Sequence, residues 1–275
     1  MSGRDDRPIG VFDSGVGGLT VARELIAALP GEAIVYFGDT ARVPYGSKSA
    51  ETVTRYAAEA GQWLVAQEVK ALVVACNTAT AHAAAHLAAT LPVPVLGVIE
   101  PGARAAAAAS RTGRIGVIGT TGTIRSGAYD LAVRRLRPDA RVYAQPCPLF
   151  VPIIEEGWST HAVAKQIAAE YLAPLQDMDV DVLILGCTHY PLLRPVLQEA
   201  VGSSVTLVDS GRETAHDLAA LLAERALLRD GGPPAAHRFV ASDSPLRFRD
   251  VGRRLLGDAL DAVECIDVDG YGRAA

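Results

Sequence analysis

The chain of 275 residues is 49% hydrophobic and 21% charged, with 31 acidic against 26 basic side chains and a formal net charge of −5. Its mean hydropathy of +0.20 excludes a disordered chain, because enough apolar surface is present to build a core. An acidic chain with only 5% aromatic residues also lacks the basic, stacking face that nucleic acid requires, so no nucleic-acid partner is expected.

In chain order, the N-terminal segment carries charges of both signs and no apolar run follows, which predicts no signal peptide and a cytoplasmic location. A strand over 9–12 runs into Asp13-Ser14-Gly15-Val16-Gly17-Gly18 and a helix beginning near Leu19. Such a turn exposes backbone N–H groups to an anion. Thr20 stands where a dinucleotide fingerprint needs its third glycine, so a small carboxylate suits the turn better than a nucleotide. A strand over 34–37 leads to Asp39-Thr40-Ala41-Arg42-Val43-Pro44-Tyr45-Gly46, where Pro44 and Gly46 make a bend that either presents Tyr45 or is a structural turn only.

From residue 71 to residue 99 there is no Lys, Arg, Asp or Glu, a length that could span a membrane. Asn77, His82, His86, Pro92 and Pro94 interrupt it, so it reads as a strand over 71–75, an alanine-rich helix and a strand over 95–99, with no membrane partner. His82 and His86 have the helical spacing of a two-histidine metal site but no accompanying ligand pattern, and no metal is expected. A helix follows around 105–109, then a strand over 115–118 and the donor-rich loop Gly119-Thr120-Thr121-Gly122-Thr123. Arg134, Arg135, Arg137 and Arg141 read as a solvated helix face. Further strands are predicted over 142–144, 182–185 and 205–208. Between them Glu155 sits at a helix edge, where a carboxylate is usually solvated. The tail carries two more helical stretches and a turn at Gly231-Gly232-Pro233-Pro234.

Apolar strands alternating with helices predict an α/β fold built on parallel sheet covered on both faces, with ligands beyond the carboxyl ends of the strands. The chain also repeats itself. The 9–12 strand matches 115–118 at an offset of 106, Leu72 to Thr78 matches Leu183 to His189 at 111, and Ile99-Glu100 matches Val208-Asp209 at 109. The spacing predicts two pseudo-symmetric domains, each a mostly parallel sheet flanked by helices, with the site in the cleft between them. The first comprises 1–97 with 208–275, and the second 98–207.

The duplication puts Cys76 and Cys187 at equivalent strand ends, each followed by a hydroxyl and a helical stretch. A helix N-terminus there would lower a thiol pKa from about 8.5 toward neutrality. Two acid/base groups facing one molecule from opposite sides are what inversion at a carbon requires. Asp13 and His189, also at strand ends, would either tune the nearby thiol or hold a substrate ammonium. Cys147 and Cys265 have no counterpart in the other half and read as structural. With no Cys-x-x-Cys pair, the four cysteines are expected as reduced thiols.

These residues identify a resemblance: the chain resembles the aspartate/glutamate racemase family, and within it the bacterial glutamate racemases. The resemblance is carried by Asp13 to Leu19, Asp39 to Arg42 with Pro44-Tyr45-Gly46, Ala75-Cys76-Asn77-Thr78-Ala79, Gly116 to Thr120, Phe150-Val151-Pro152 leading to Glu155, and Gly186 to Leu193. It implies a cofactor-independent isomerase interconverting L- and D-glutamate and supplying D-glutamate for peptidoglycan. Cys76 would take the α-proton from D-glutamate, assisted by Asp13. Cys187 would take it from L-glutamate, assisted by His189 and Glu155. Substrate contacts would come from Asp13, Ser14, Tyr45, Gly46, Asn77, Thr78, Thr188 and His189. A homodimer is the family's expectation. Only Lys48, Lys70 and Lys165 could form a Schiff base, and none ends a strand beside a phosphate-binding loop, so pyridoxal phosphate is not expected. The rivals are a racemase of aspartate or another acidic amino acid, a non-catalytic amino-acid sensor, which would not need paired thiols, and a thiol redox protein, which would need a resolving cysteine.

Overall fold

Apolar runs become strands, most of them buried on both faces, and the computed structural model, which describes residues 5–229 and 236–267, arranges them in two parallel sheets. The first is built from β1 (Ile9–Asp13), β2 (Ile34–Gly38), β3 (Ala71–Val74) and β4 (Val95–Gly97). The second contains β5 (Arg114–Gly119), β6 (Arg141–Pro146), β7 (Val182–Gly186) and β8 (Thr206–Asp209). The chain then re-enters the first sheet with β9 (Arg238–Ala241) and β10 (Glu264–Cys265). The strand orders are β10-β9-β2-β1-β3-β4 and β6-β5-β7-β8.

Those orders contain the same unit twice, β2-β1-β3-β4 and β6-β5-β7-β8. Equivalent strands β3 and β7 start at 71 and 182, and β4 and β8 at 95 and 206, an offset of 111 in both cases. One expected match shifts. The strand read over 95–99 ends at Gly97, and Ile99 and Glu100 open a helix in which Pro101 occupies the first turn, where its missing N–H is not required. The counterpart of β8 is therefore 95–97. β9 and β10 were not anticipated from sequence. The turn expected at Gly231-Gly232-Pro233-Pro234 lies outside the described residues.

The helices are α1 (Leu19–Ala28), α2 (Ala50–Ala66), α3 (Asn77–Thr90), α4 (Ile99–Ala109), α5 (Thr121–Arg125), α6 (Ala128–Leu136), α7 (Phe150–Glu155), α8 (Ala162–Gln176), α9 (Arg194–Val201), α10 (Ser210–Glu224) and α11 (Pro245–Leu256). Strand alternation assigns their faces. Ile9 and Val11 of β1 point to a core with Leu19 and Leu25 of α1, Leu218 and Leu222 of α10 and Phe248 of α11. Phe12 points the other way, to Val53 and Leu64 of α2 and Leu87 of α3. In the second sheet Leu183 and Leu185 meet α8 and α9, while Val182 and Ile184 meet α4 and α6. Since α10 packs on both α1 and α4, it ties the two sheets together behind the cleft.

Lys70 is fully buried at the start of β3, ion-paired with Glu32 and donating to the Asp5 carbonyl at 3.0 Å. This places one of the three lysines at the end of the sheet away from the cleft. No helix among the described residues is long and apolar enough to cross a membrane.

Candidate active site between the two sheets

The carboxyl ends of β1, β3, β5 and β7 face one another across a cavity of about 410 Å³. Ten of the eleven candidate residues line it: Ser14, Tyr45, Gly46, Cys76, Asn77, Thr78, Glu155, Cys187, Thr188 and His189. The eleventh, Asp13, is fully buried behind the wall at the end of β1, where its Oδ2 accepts from the Gly15 N–H at 2.9 Å.

Cys76 is the N-cap of α3. Its sulfur accepts from the Ala79 N–H at 3.4 Å and donates to Ser14 Oγ at 3.6 Å. The helix terminus is where the sequence predicts it, but its expected electrostatic consequence is overturned. Burial, with the Asp13 carboxylate next, pushes this thiol up to about 12, and the Ala79 N–H offsets only part of that. Asp13 is itself raised by burial, against the opposing pull of His189 and the Gly15 N–H. A thiol so held reacts only as its small thiolate fraction. Iodoacetamide labelling of Cys76, read by peptide mass, should therefore climb about tenfold per unit from about pH 7 to 9.5, where an ordinary thiol levels off above about 8.5. A plateau near 8.5 would contradict that assignment.

Cys187 differs. It follows β7 but precedes a 3-10 turn, Tyr190–Leu193, not the α-helix expected. Its partner is His189, with Nδ1 3.9 Å from Sγ and Nε2 3.1 Å from Glu155 Oε1. Burial disfavours the imidazolium, but the hydrogen bonds to Cys187 and Glu155 outweigh it and lift His189 to about 10. Glu155 is held below its usual range first by the His189 hydrogen bond. The helix-edge carboxylate, read as solvated from sequence alone, is thus the end of a Cys187–His189–Glu155 chain. Arg247 of α11 stands 3.8 Å from its other oxygen. That contact joins positions far apart in the chain, and no motif announces it.

Gly17 explains how the two halves close on this chain. A Cβ there would lie 2.4 Å from both His189 Nδ1 and Thr188 Oγ1, so only glycine lets the 13–18 turn approach. Thr20 reinforces the contact through its hydroxyl, which donates to the Thr188 carbonyl at 2.8 Å. On the other side the hydroxyls of Thr78 and Thr120 meet at 2.8 Å, and Thr123 lies 3.1 Å from each.

Tyr45 bears on both readings of its bend. The 43–46 bend lines the cavity, but the ring is buried and its hydroxyl donates to Asp39 Oδ2, which also accepts from Arg42 Nε at 2.7 Å. Burial and the Asp39 charge raise the phenol far above its ordinary value. Tyr45 thus props the bend, leaving the backbone of the bend and Gly46 beside the cavity. Thr120 and Thr121 line the cavity as well. The sequence marks their loop as rich in donors, whereas Pro148, Val151 and Pro152, also in the lining, carry no chemical signal.

Residues 9–218 match the Asp/Glu/Hydantoin racemase family. A glutamate racemase of Geobacter metallireducens is 54% identical over 263 residues, covering 96% of this chain and 97% of that protein. Among solved structures, a glutamate racemase isoform from Bacillus anthracis superposes with a TM-score of 0.92 at 44% identity, over 96% of this chain and 98% of that one. A glutamate racemase of Francisella tularensis in complex with D-glutamate gives 0.91 at 41% identity, over 97% and 100%.

Proposed function

The chain belongs to the Asp/Glu/hydantoin racemase family and is an isomerase, and from that premise we propose that it interconverts L- and D-glutamate by proton transfer between two cysteines. The observation that carries the reading is the pair Cys76 and Cys187, from equivalent strand ends of the two sheets, lining one cavity. A planar carbanion-like Cα held between them can lose a proton to one sulfur and gain one from the other, which inverts it.

The surroundings of the two thiols support unlike starting states. The buried Cys76 thiol, pushed up to about 12, holds its proton and is the donor. On the other side the His189 imidazolium, held by its hydrogen bonds to Cys187 and Glu155, stands beside Cys187, to which we assign the role of base toward L-glutamate. This state is set to turn L-glutamate into D-glutamate. After one turnover the proton has moved across the cleft, with Asp13 on the Cys76 side and His189 on the Cys187 side accommodating the change. Positioned acid/base groups supply about 10²–10⁴ of rate. N–H and hydroxyl donors around the substrate carboxylate supply the rest by stabilising the charge that develops on it. Ser14, Thr78, Thr188 and the Gly46 backbone are the donors proposed to do this, and the buried, unpaired Asn77 Nδ2 is proposed to bind the substrate equally in its ground and transition states. The product would serve peptidoglycan synthesis.

Incubation of the purified protein with L-glutamate in D2O, without added cofactor, should erase optical rotation while deuterium enters Cα. Unchanged rotation with folded protein would overturn the reading, and racemisation of aspartate in preference to glutamate would favour the alternative substrate.

A further inference from the structure

We propose that Tyr129 is a positioning residue for the substrate site, holding the Asn77 amide so that its Nδ2 faces the cavity as a hydrogen-bond donor. The inference rests on the racemase reading in taking the occupant to be an amino-acid dicarboxylate.

Tyr129 belongs to α6 of the second sheet and Asn77 opens α3 of the first, yet the phenol donates to Asn77 Oδ1 at 2.7 Å. An asparagine amide has one acceptor end and one donor end. With Oδ1 engaged, Nδ2 is directed away from the phenol. Asn77 lines the cavity next to Cys76, and its Nδ2 is buried with no partner. A buried donor left unpaired is destabilising, and its presence in a residue that lines the cavity points to a ligand acceptor. A carboxylate only accepts and therefore matches Nδ2, whereas the opposite amide orientation would set oxygen against oxygen.

The fold holds the phenol tightly enough to do this. Tyr129 is 3% exposed and lies where two glycines leave room. A Cβ on Gly102 of α4 would sit 3.0 Å from Ser210 Cβ and 3.5 Å from the Tyr129 hydroxyl, and one on Gly186 of β7 would sit 3.0 Å from the ring. Burial raises the phenol above its ordinary pKa. The phenol therefore keeps its proton and donates it to Asn77 Oδ1, which fixes the sense of the amide. The junction of α4, α6 and α10 is in this way connected to the substrate wall.

Steady-state kinetics on Tyr129→Phe, Asn77→Ala, the double variant and Asn77→Asp test the proposal. Tyr129→Phe should raise KM for L-glutamate about tenfold while kcat stays within about threefold, the signature of lost ground-state binding. Asn77→Ala should raise KM at least as much, and the double variant should equal Asn77→Ala, since the phenol acts only through that amide. Asn77→Asp presents an oxygen where a donor is required and should bind about tenfold worse again than Asn77→Ala. A wild-type KM in Tyr129→Phe, additive effects in the double variant, or Asn77→Asp no worse than Asn77→Ala would each overturn it. Should the wild-type protein bind glutamate without racemising it, the functional reading fails, and calorimetric affinities of the same variants carry the same expectations. Absence of glutamate binding overturns both.

Discussion

Cys76→Ala and Cys187→Ala should each lower glutamate racemisation at least about a hundredfold, with kcat/KM falling equally in both directions because the two enantiomers have equal free energy. Each substitution removes a single sulfur from a buried position, 6% exposed in both cases, so the fold should survive. What distinguishes the two-thiol arrangement from a single base is the residual chemistry. The variant lacking Cys187 keeps Cys76 on its own face and should still exchange the α-hydrogen of D-glutamate with solvent. The variant lacking Cys76 should exchange that of L-glutamate. Proton NMR of each enantiomer in D2O reads this directly. Near-wild-type racemisation by either variant would end the two-base assignment, and exchange of the opposite enantiomer would reverse the faces.

Gly17→Ala should cost about a hundredfold in kcat although Gly17 takes no part in the proton transfers. Its Cβ would have to occupy space 2.4 Å from His189 Nδ1 and Thr188 Oγ1. Both side chains are buried and tied, His189 to Glu155 at 3.1 Å and Thr188 through its carbonyl to Thr20 at 2.8 Å. The added methyl therefore separates the 13–18 turn from the Cys187 loop, and a displacement of about 1 Å at reacting groups is enough for such a loss. Overpacking at a site this close should also lower stability by about 1–3 kcal/mol, measurable by urea unfolding. Gly31→Ala, where a Cβ meets nothing within 4 Å, is the control and should retain wild-type rates. Equal behaviour of the two variants would show that the two halves do not need this approach.

Much of the candidate site is legible in the chain because it lies where apolar strands stop. Asp13, Cys76 and Cys187 each stand at or just past the end of a buried run, and the duplication pairs the two cysteines across the halves. Glu155 is legible only through resemblance. Its partner His189 is 34 positions away and approaches because α7 and the loop after β7 pack on the same side of the second sheet. The sequence leaves two readings of Tyr45 open because a bend with Pro44 and Gly46 does not tell which way its ring turns; Asp39, held also by Ser242 at 2.9 Å, draws the hydroxyl inward. Ser242 itself follows β9, a strand of four residues too short to stand out in a tail read as helical.

By itself the sequence determined the alternation of buried strands and helices, the internal repeat, and the placing of one thiol at a strand end in each half. These are local properties, set by hydrophobic period and by which residues follow a strand. Only the tertiary structure decided the protonation balance. The same pattern of strand, cysteine and hydroxyl yields a thiol raised to about 12 beside Asp13 and a thiol facing a histidine held protonated to about 10. Burial and neighbouring charge act through space: Asp13 reaches Cys76 from the end of another strand of the first sheet, and Glu155 reaches His189 from 34 positions away.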